Sequence, residues 1–342
     1  MAALVCFLAT PAIAGTAASG SLPVVKAKAS SSTAKSAVSP RRKARISATR
    51  PSIAQKLGLR STEDALDLRS SAALVIDQDT DEVLFSKNAE AVLPIASITK
   101  LMTAIVVLDA GQEMDEPLKV SKVALDTPRN NRSPLRVGAT LTRGELMHLA
   151  LMSSENRAAY SIGAAYPGGL PALVEAMNRK ALELGMNDSH FVEPTGLSSD
   201  NRSSAQDLAL LVKAAYQNPV LREYSTAPDA SMAVGRRTVQ FRTTNSLVRN
   251  PSWEIGLQKT GYISEAGRCV VMQAQLAGRK LIMVLLDSAG RYSRVGDAER
   301  IRRWLDAMPT AHAADETPAP QQESPSVTEG ERDLGRSGSD TF

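Results

Sequence analysis

The sequence has 342 residues, 43% of them hydrophobic and 22% charged, enough for one large domain or two small ones with a substantial core. The net charge of +4 is uneven: residues 15–60 hold ten basic residues and no acid, residues 309–342 hold seven acids against two arginines, and the middle is close to neutral. Basicity thus belongs to an arm and not to the body, and two cysteines, Cys6 and Cys269, exclude a disulfide-rich scaffold.

Residues 1–14 read as a secretory signal peptide. An apolar stretch from Ala2 to Ala9 precedes a small-x-small site at Ala12-Ile13-Ala14, although no basic residue leads it. The product is expected in the periplasm, without a membrane anchor, and nucleic acid is not an expected partner. If Cys6 leaves with the leader, Cys269 has no partner for an internal disulfide. Residues 15–60, rich in Ser, Ala, Lys and Arg, cannot bury enough surface to fold and read as a disordered basic linker. Its charge suits weak contact with an anionic membrane surface or wall polymer, or simply a soluble spacer.

A folded domain is expected over residues 61–308, opening near Asp67. Ala72–Asp77 and Glu82–Ser86 read as two strands around a polar turn. Pro94 suits the entry to a helix, and the run Leu101 to Leu108, apolar nearly all round, places that helix in the middle of the protein. Residues 118–142 look like a loop centred on Arg129–Pro134. Thr142 and Glu145 have capping-box spacing and open a helix through Met152. Further helices are expected over Pro171–Leu184, ended by Gly185, and over Ser204–Tyr216. The last third changes period: residues 259–263, 268–275 and 280–287 read as an antiparallel meander. Ser293–Met308 closes the body as an amphipathic helix, with Val295, Ala298, Ile301, Trp304 and Leu305 on one side. The pattern is α+β, one antiparallel sheet with flanking helices and a mostly helical middle. Residues 309–342 read as a disordered acidic tail.

Three short motifs carry chemistry. Ser97 and Lys100, three apart, share a face of the first helical turn. A serine hydroxyl needs an adjacent base, and an amine serves only where burial or the positive end of a helix disfavours its ammonium form. Alone, the pair would more often be an N-cap and a solvated lysine. Ser154 and Asn156 follow as Ser-x-Asn, a hydroxyl able to relay a proton and an amide able to bind a peptide carbonyl; alone, they would be a capping sequence. Lys259-Thr260-Gly261 leads a strand, where a cation and a hydroxyl can hold a carboxylate and the glycine permits close approach of a backbone. No cluster suggests a metal or other cofactor, and His148, His190 and His312 read as structural or solvated.

The order S-x-x-K, S-x-N, K-T-G on helix, loop and strand resembles class A β-lactamases and penicillin-binding proteins. With Pro94–Ala104, Phe191–Leu197 and Thr244–Leu247, the sequence is most similar to the low-molecular-mass penicillin-binding proteins, serine D,D-peptidases of the cell wall, over about residues 67–308. Ser153–Ala159 looks most like the D-alanyl-D-alanine endopeptidase branch. The resemblance implies a β-lactamase/transpeptidase-like fold. It also implies Ser97 as nucleophile, Lys100 as general base, Ser154 as proton relay, and Asn156, Lys259, Thr260 and Gly261 as substrate-binding residues, with an oxyanion hole from the N–H groups of Ser97 and Tyr262. Expected partners are peptidoglycan stems and cross-links, and β-lactams bound covalently. A D-alanyl-D-alanine carboxypeptidase shares every one of these residues. A β-lactamase is disfavoured because Glu193-Pro194 lacks the Leu-Asn that should follow, and a β-lactam sensor because no membrane span or signalling domain is visible in the sequence.

Overall fold

The continuous run Ala72–Asp77 (β1), all six residues buried, makes the first strand of a sheet covered on both faces that the chain completes only two hundred residues later. The computed structural model describes residues 51–122 and 133–308. The leader, most of the basic linker, most of the loop centre at 129–134 and the acidic tail lie outside the described residues.

In chain order the elements are α1 (Ile53–Lys56), β1, β2 (Val83–Lys87), β3 (Leu93–Pro94), α2 (Thr99–Asp109), β4 (Pro117–Lys119), β5 (Thr140–Thr142), α3 (Arg143–Met152), α4 (Asn156–Ala164) and α5 (Gly169–Glu183). They continue with β6 (Arg202–Ser203), α6 (Ala205–Tyr216), α7 (Pro219–Thr226), β7 (Asp229–Val234), β8 (Arg237–Arg242), β9 (Glu254–Ile263), β10 (Gly267–Leu276), β11 (Arg279–Ser288) and α8 (Ser293–Asp306).

The main sheet has the order β2-β1-β11-β10-β9 and is antiparallel throughout, so the early hairpin joins the late meander and β9 is left at the edge. Period-two alternation sends the strands' side chains to two cores. Leu74, Val271, Val284 and Leu286 face α2 and α6, while Val75, Val270, Met272 and Leu285 face Ala298, Ile301 and Leu305 of α8. Helix α2 has nine of its eleven residues buried, as its apolar surround requires. A third core, around Leu135, Leu146, Leu149 and Ile162, builds the helical region with the β7–β8 hairpin.

Two expectations are corrected. The folded body does not open near Asp67, and residues 51–60 are not linker. Ser52 and Gln55 form a reciprocal capping box on α1, Ala54 is buried, the Ile53 N–H donates to the Glu265 carbonyl, and Arg60 pairs with Asp287 at 2.9 Å. The basic composition hid a segment anchored by one small apolar residue and one ion pair. The stretch from 118 to 142 is bounded by a short two-stranded ribbon, β4 with β5, rather than being loop throughout.

Candidate active site

Three elements meet where the sheet edge abuts the helical region. A 3-10 turn over Ala96–Ile98 leads into α2 and presents a half-buried Ser97. Ala96 holds a left-handed backbone (φ 49°), an uncommon state for a residue with a Cβ. The facing loop fits closely against it. Gly196, also left-handed at φ 80°, packs so close that a Cβ there would sit 1.8 Å from the Ala96 carbonyl oxygen. Gly261 of β9 makes the second close approach: its Cβ would lie 2.8 Å from the Ile95 oxygen and 3.2 Å from the Ser97 nitrogen. The glycine of Lys-Thr-Gly therefore admits the turn that carries Ser97, which brings the Ser97 amide beside the strand that continues into Tyr262.

Lys100, on the first turn of α2, is 1% exposed. Its Nζ donates to Asn156 Oδ1 at 2.8 Å and to the Thr195 carbonyl, and lies 2.8 Å from Ser97 Oγ. Burial lowers its pKa from 10.5 to about 7 against the opposing pull of Glu193 and Glu155. Near neutrality the amine is thus available to accept a proton from the hydroxyl it touches.

Ser154 sits between α3 and α4 with a left-handed backbone (φ 60°), which turns the chain so that Ser154 and Asn156 both reach the site. Lys259 Nζ donates to Ser154 Oγ at 2.9 Å and to the Thr260 carbonyl at 2.9 Å. Burial pushes the pKa of Lys259 well down, and the charges of Lys100 and Arg294 push the same way. An arriving carboxylate would reverse that balance and hold Lys259 as the cation. All of Ser97, Lys100, Ser154, Asn156, Lys259, Thr260, Gly261 and Tyr262 come together here.

Several supporting residues were not singled out by the motifs. Thr260 Oγ1 hydrogen-bonds Thr244 Oγ1 at 2.5 Å, and Arg294 donates to the Thr244 carbonyl at 3.2 Å, adding a second cation beside Thr260. Arg294 gave no signal, being one of several arginines on an amphipathic helix. Glu193 organises the loop that supplies the Thr195 carbonyl. Its carboxylate accepts from the Thr195 N–H and Oγ1, the Gly196 and Ser198 N–H groups and Asn201 Nδ2. A carboxylate so occupied is a structural anchor, unlike a water-activating base. Behind the strand, Cys269 is buried, and burial pushes its thiol up to about 12, so it is inert. His148 stacks on Tyr224 at 4.8 Å and His190 bridges the backbone of Arg202, both as structural residues, while His312 lies outside the described residues.

The family model of the S11 peptidases, described as D-alanyl-D-alanine carboxypeptidase, matches residues 59–290. The D-alanyl-D-alanine endopeptidase of Pseudomonas aeruginosa is 47% identical over 255 residues, covering 72% of this chain and 82% of that protein. Its Escherichia coli counterpart is 41% identical over 269 residues, covering 77% and 87%. Among solved structures, the Streptomyces K15 DD-transpeptidase aligns with a TM-score of 0.65 and 25% identity over 72% of this chain and all of its own. Penicillin-binding protein D2 of Listeria monocytogenes, in its ampicillin-bound form, aligns at 0.63 and 28% identity over 71% of this chain and all of its own. The fold is therefore the transpeptidase-like α+β arrangement that the motifs implied. The chain belongs to the S11 peptidases, the D-alanyl-D-alanine carboxypeptidase family of low-molecular-mass penicillin-binding proteins.

Proposed function

We propose that this protein is a serine D,D-endopeptidase that hydrolyses D-Ala–diaminopimelate cross-links of peptidoglycan through an acyl-enzyme on Ser97. The observation that carries the reading is the 2.8 Å contact between Ser97 Oγ and a buried Lys100 whose pKa is about 7. Ser97 Oγ attacks the D-Ala carbonyl carbon while its proton passes to the neutral Lys100 amine. The developing oxyanion is held by the N–H groups of Ser97 and Tyr262; one such donor is typically worth ~3 kcal/mol. As the C–N bond breaks, Ser154 passes a proton to the leaving amine and is reprotonated from the Lys100 ammonium, which holds the proton taken from Ser97, while Lys259, 2.9 Å from Ser154 Oγ, stays the cation. Asn156 orients Lys100 and the substrate amide. Thr260, Lys259 and Arg294 receive the carboxylate beyond the scissile bond. Water then cleaves the ester, its proton returning through Lys100.

A β-lactam presents the same carbonyl and carboxylate and would stay on Ser97 as an ester. The endopeptidase preference is supported by the two relatives of that name at 47% and 41% identity. The leader read in residues 1–14 supports a periplasmic place of action, and the basic charge of residues 15–50 supports a weak electrostatic tether. Digestion of purified cross-linked muropeptide dimers, followed by mass spectrometry with Ser97→Ala alongside, tests the assignment. Dimers converted to monomers without free D-Ala, and lost activity in the variant, are expected. Release of D-Ala from pentapeptides with dimers left intact would move the enzyme to the carboxypeptidases.

A further inference from the structure

The direction of β9 fixes where the acyl side of a substrate must go. Thr260 stands opposite Val270 and Tyr262 opposite Arg268, so these side chains share the sheet face that Val270 buries against α8. With the leaving-side carboxylate at Thr260 and the reacting carbonyl at Tyr262, the acyl chain continues past Ile263 towards the turn into β10, at about 3.3 Å per residue. A cleft of about 250 Å³ opens there, where Tyr262 and Arg268 of that face meet Arg60, Ser264, Asp287 and Arg291 among others.

The charge of this cleft is lopsided. Three guanidinium groups line it against a single carboxylate, Asp287. That carboxylate is already engaged, by Arg60 at 2.9 Å and Ser71 Oγ at 2.6 Å. Arg268 lies over the Tyr262 ring, Cζ 4.6 Å from its centroid, and Arg291 lies 5.5 Å from that of Tyr292. Among the described residues, neither guanidinium has a carboxylate within ion-pair distance. The buried Nε of Arg60 has no hydrogen-bond partner either. Arg294, one turn further along, feels the repulsion of Arg268: after burial, that charge is the main influence lowering its pKa. Cations gathered without counter-charges repel one another, and an arriving anion relieves them.

We infer that this cleft is an anion subsite that takes a side carboxylate of the stem peptide on the acyl side of the scissile bond, one or two residues before the D-Ala. The inference rests on the active-site reading above and adds a specificity element to it. Stem peptides carry such carboxylates, whereas a small β-lactam need not reach beyond Tyr262. The subsite therefore acts on peptide selection and not on acylation by penicillin.

The test uses the full chain and two synthetic cross-linked dimers that differ only in whether the side carboxylates of the acyl-side stem are free or amidated. The wild-type kcat/KM should favour the free-carboxylate dimer by about tenfold, as charge-assisted hydrogen bonds allow. That ratio should fall towards one in Arg268→Gln and in Arg291→Gln; taking the ratio within each variant removes any general damage. A ratio near one in the wild type, or an undiminished ratio in both variants, would overturn the inference. Labelled penicillin serves as the control. If it attaches to Ser97 while the ratio is one, the subsite alone fails. If the wild type neither takes the label nor cleaves either dimer, the active-site reading fails with it.

Discussion

Lys100 sets the pH dependence of the whole site. Its amine can take the Ser97 proton only when neutral, and burial brings its pKa to about 7 while Glu193 and Glu155 hold it up. The sign follows directly. The rate of acylation by a labelled penicillin should rise as pH increases through about 7 and level above it. Glu193→Gln removes one of the two charges favouring the ammonium, so the midpoint should move to lower pH; a midpoint moving upward would contradict this electrostatic assignment. Gly196 is the residue whose replacement is least tolerable. At φ 80°, with the Ala96 oxygen 1.8 Å from a would-be Cβ, Gly196→Ala must displace the turn that presents Ser97. A loss of about 2–4 kcal/mol is expected from strain and repacking together. Chemical denaturation measures it, and penicillin attachment should slow in parallel.

At the scale of elements, local signals explain which ones could be read. The capping box at Thr142 and Glu145 is present in both directions, with the Glu145 N–H donating to Thr142 Oγ1 at 3.1 Å and the Thr142 N–H to Glu145 Oε2 at 2.8 Å. Thr142→Ala should cost about 1 kcal/mol in thermal unfolding. The strand pair β1–β2 and the meander β9–β11 were legible as short runs bounded by polar or glycine turns, most of them continuously apolar, and α8 by its apolar stripe. Others were not, and five of them show why. Helix α4 begins inside Ser-x-Asn, so its capping Glu155 was absorbed into the motif. Helix α7 did carry a signal, Asn218 accepting from two N–H groups ahead of Pro219, but its short apolar face is weak. The β7–β8 hairpin does alternate, with Met232, Val234 and Phe241 buried between exposed neighbours, but its strands open on charged residues, Asp229 and Arg237, and α1 is four residues long. Seven of the residues that meet at the candidate site were legible because they stand in three short motifs, and Tyr262 came only with the family resemblance. Thr244 and Thr195 lay in stretches that carried the resemblance but without an assigned part in the site, and Arg294 carried no signal, because tertiary packing alone brings them there.

The molecule as a whole depends on joining chain segments far apart in sequence, since β1 must pair with β11 to bring the early hairpin and the late meander into one sheet. One buried carboxylate ties that junction. Asp297, fully buried in α8, accepts from the Arg69 N–H at 3.0 Å, Ser70 Oγ at 2.6 Å, Ser288 Oγ at 3.1 Å and Arg300 Nη1 at 2.8 Å. These donors come from the approach to β1, the end of β11 and α8 itself. Asp297→Ala would leave the buried Ser70 and Ser288 hydroxyls and the Arg69 amide without their acceptor, so the cost should reach about 3–5 kcal/mol. Arg300→Ala removes a half-exposed partner and leaves the other three bonds intact, so it should cost about 1 kcal/mol or less. Equilibrium unfolding, followed by far-ultraviolet circular dichroism and by the fluorescence of Trp253 and Trp304, compares the two. If Asp297 joins the sheet to α8 as a unit, both signals in Asp297→Ala shift together to lower denaturant. A tryptophan transition that separates from the loss of secondary structure would instead show α8 detaching alone, and the carboxylate would then be only a local anchor of that helix.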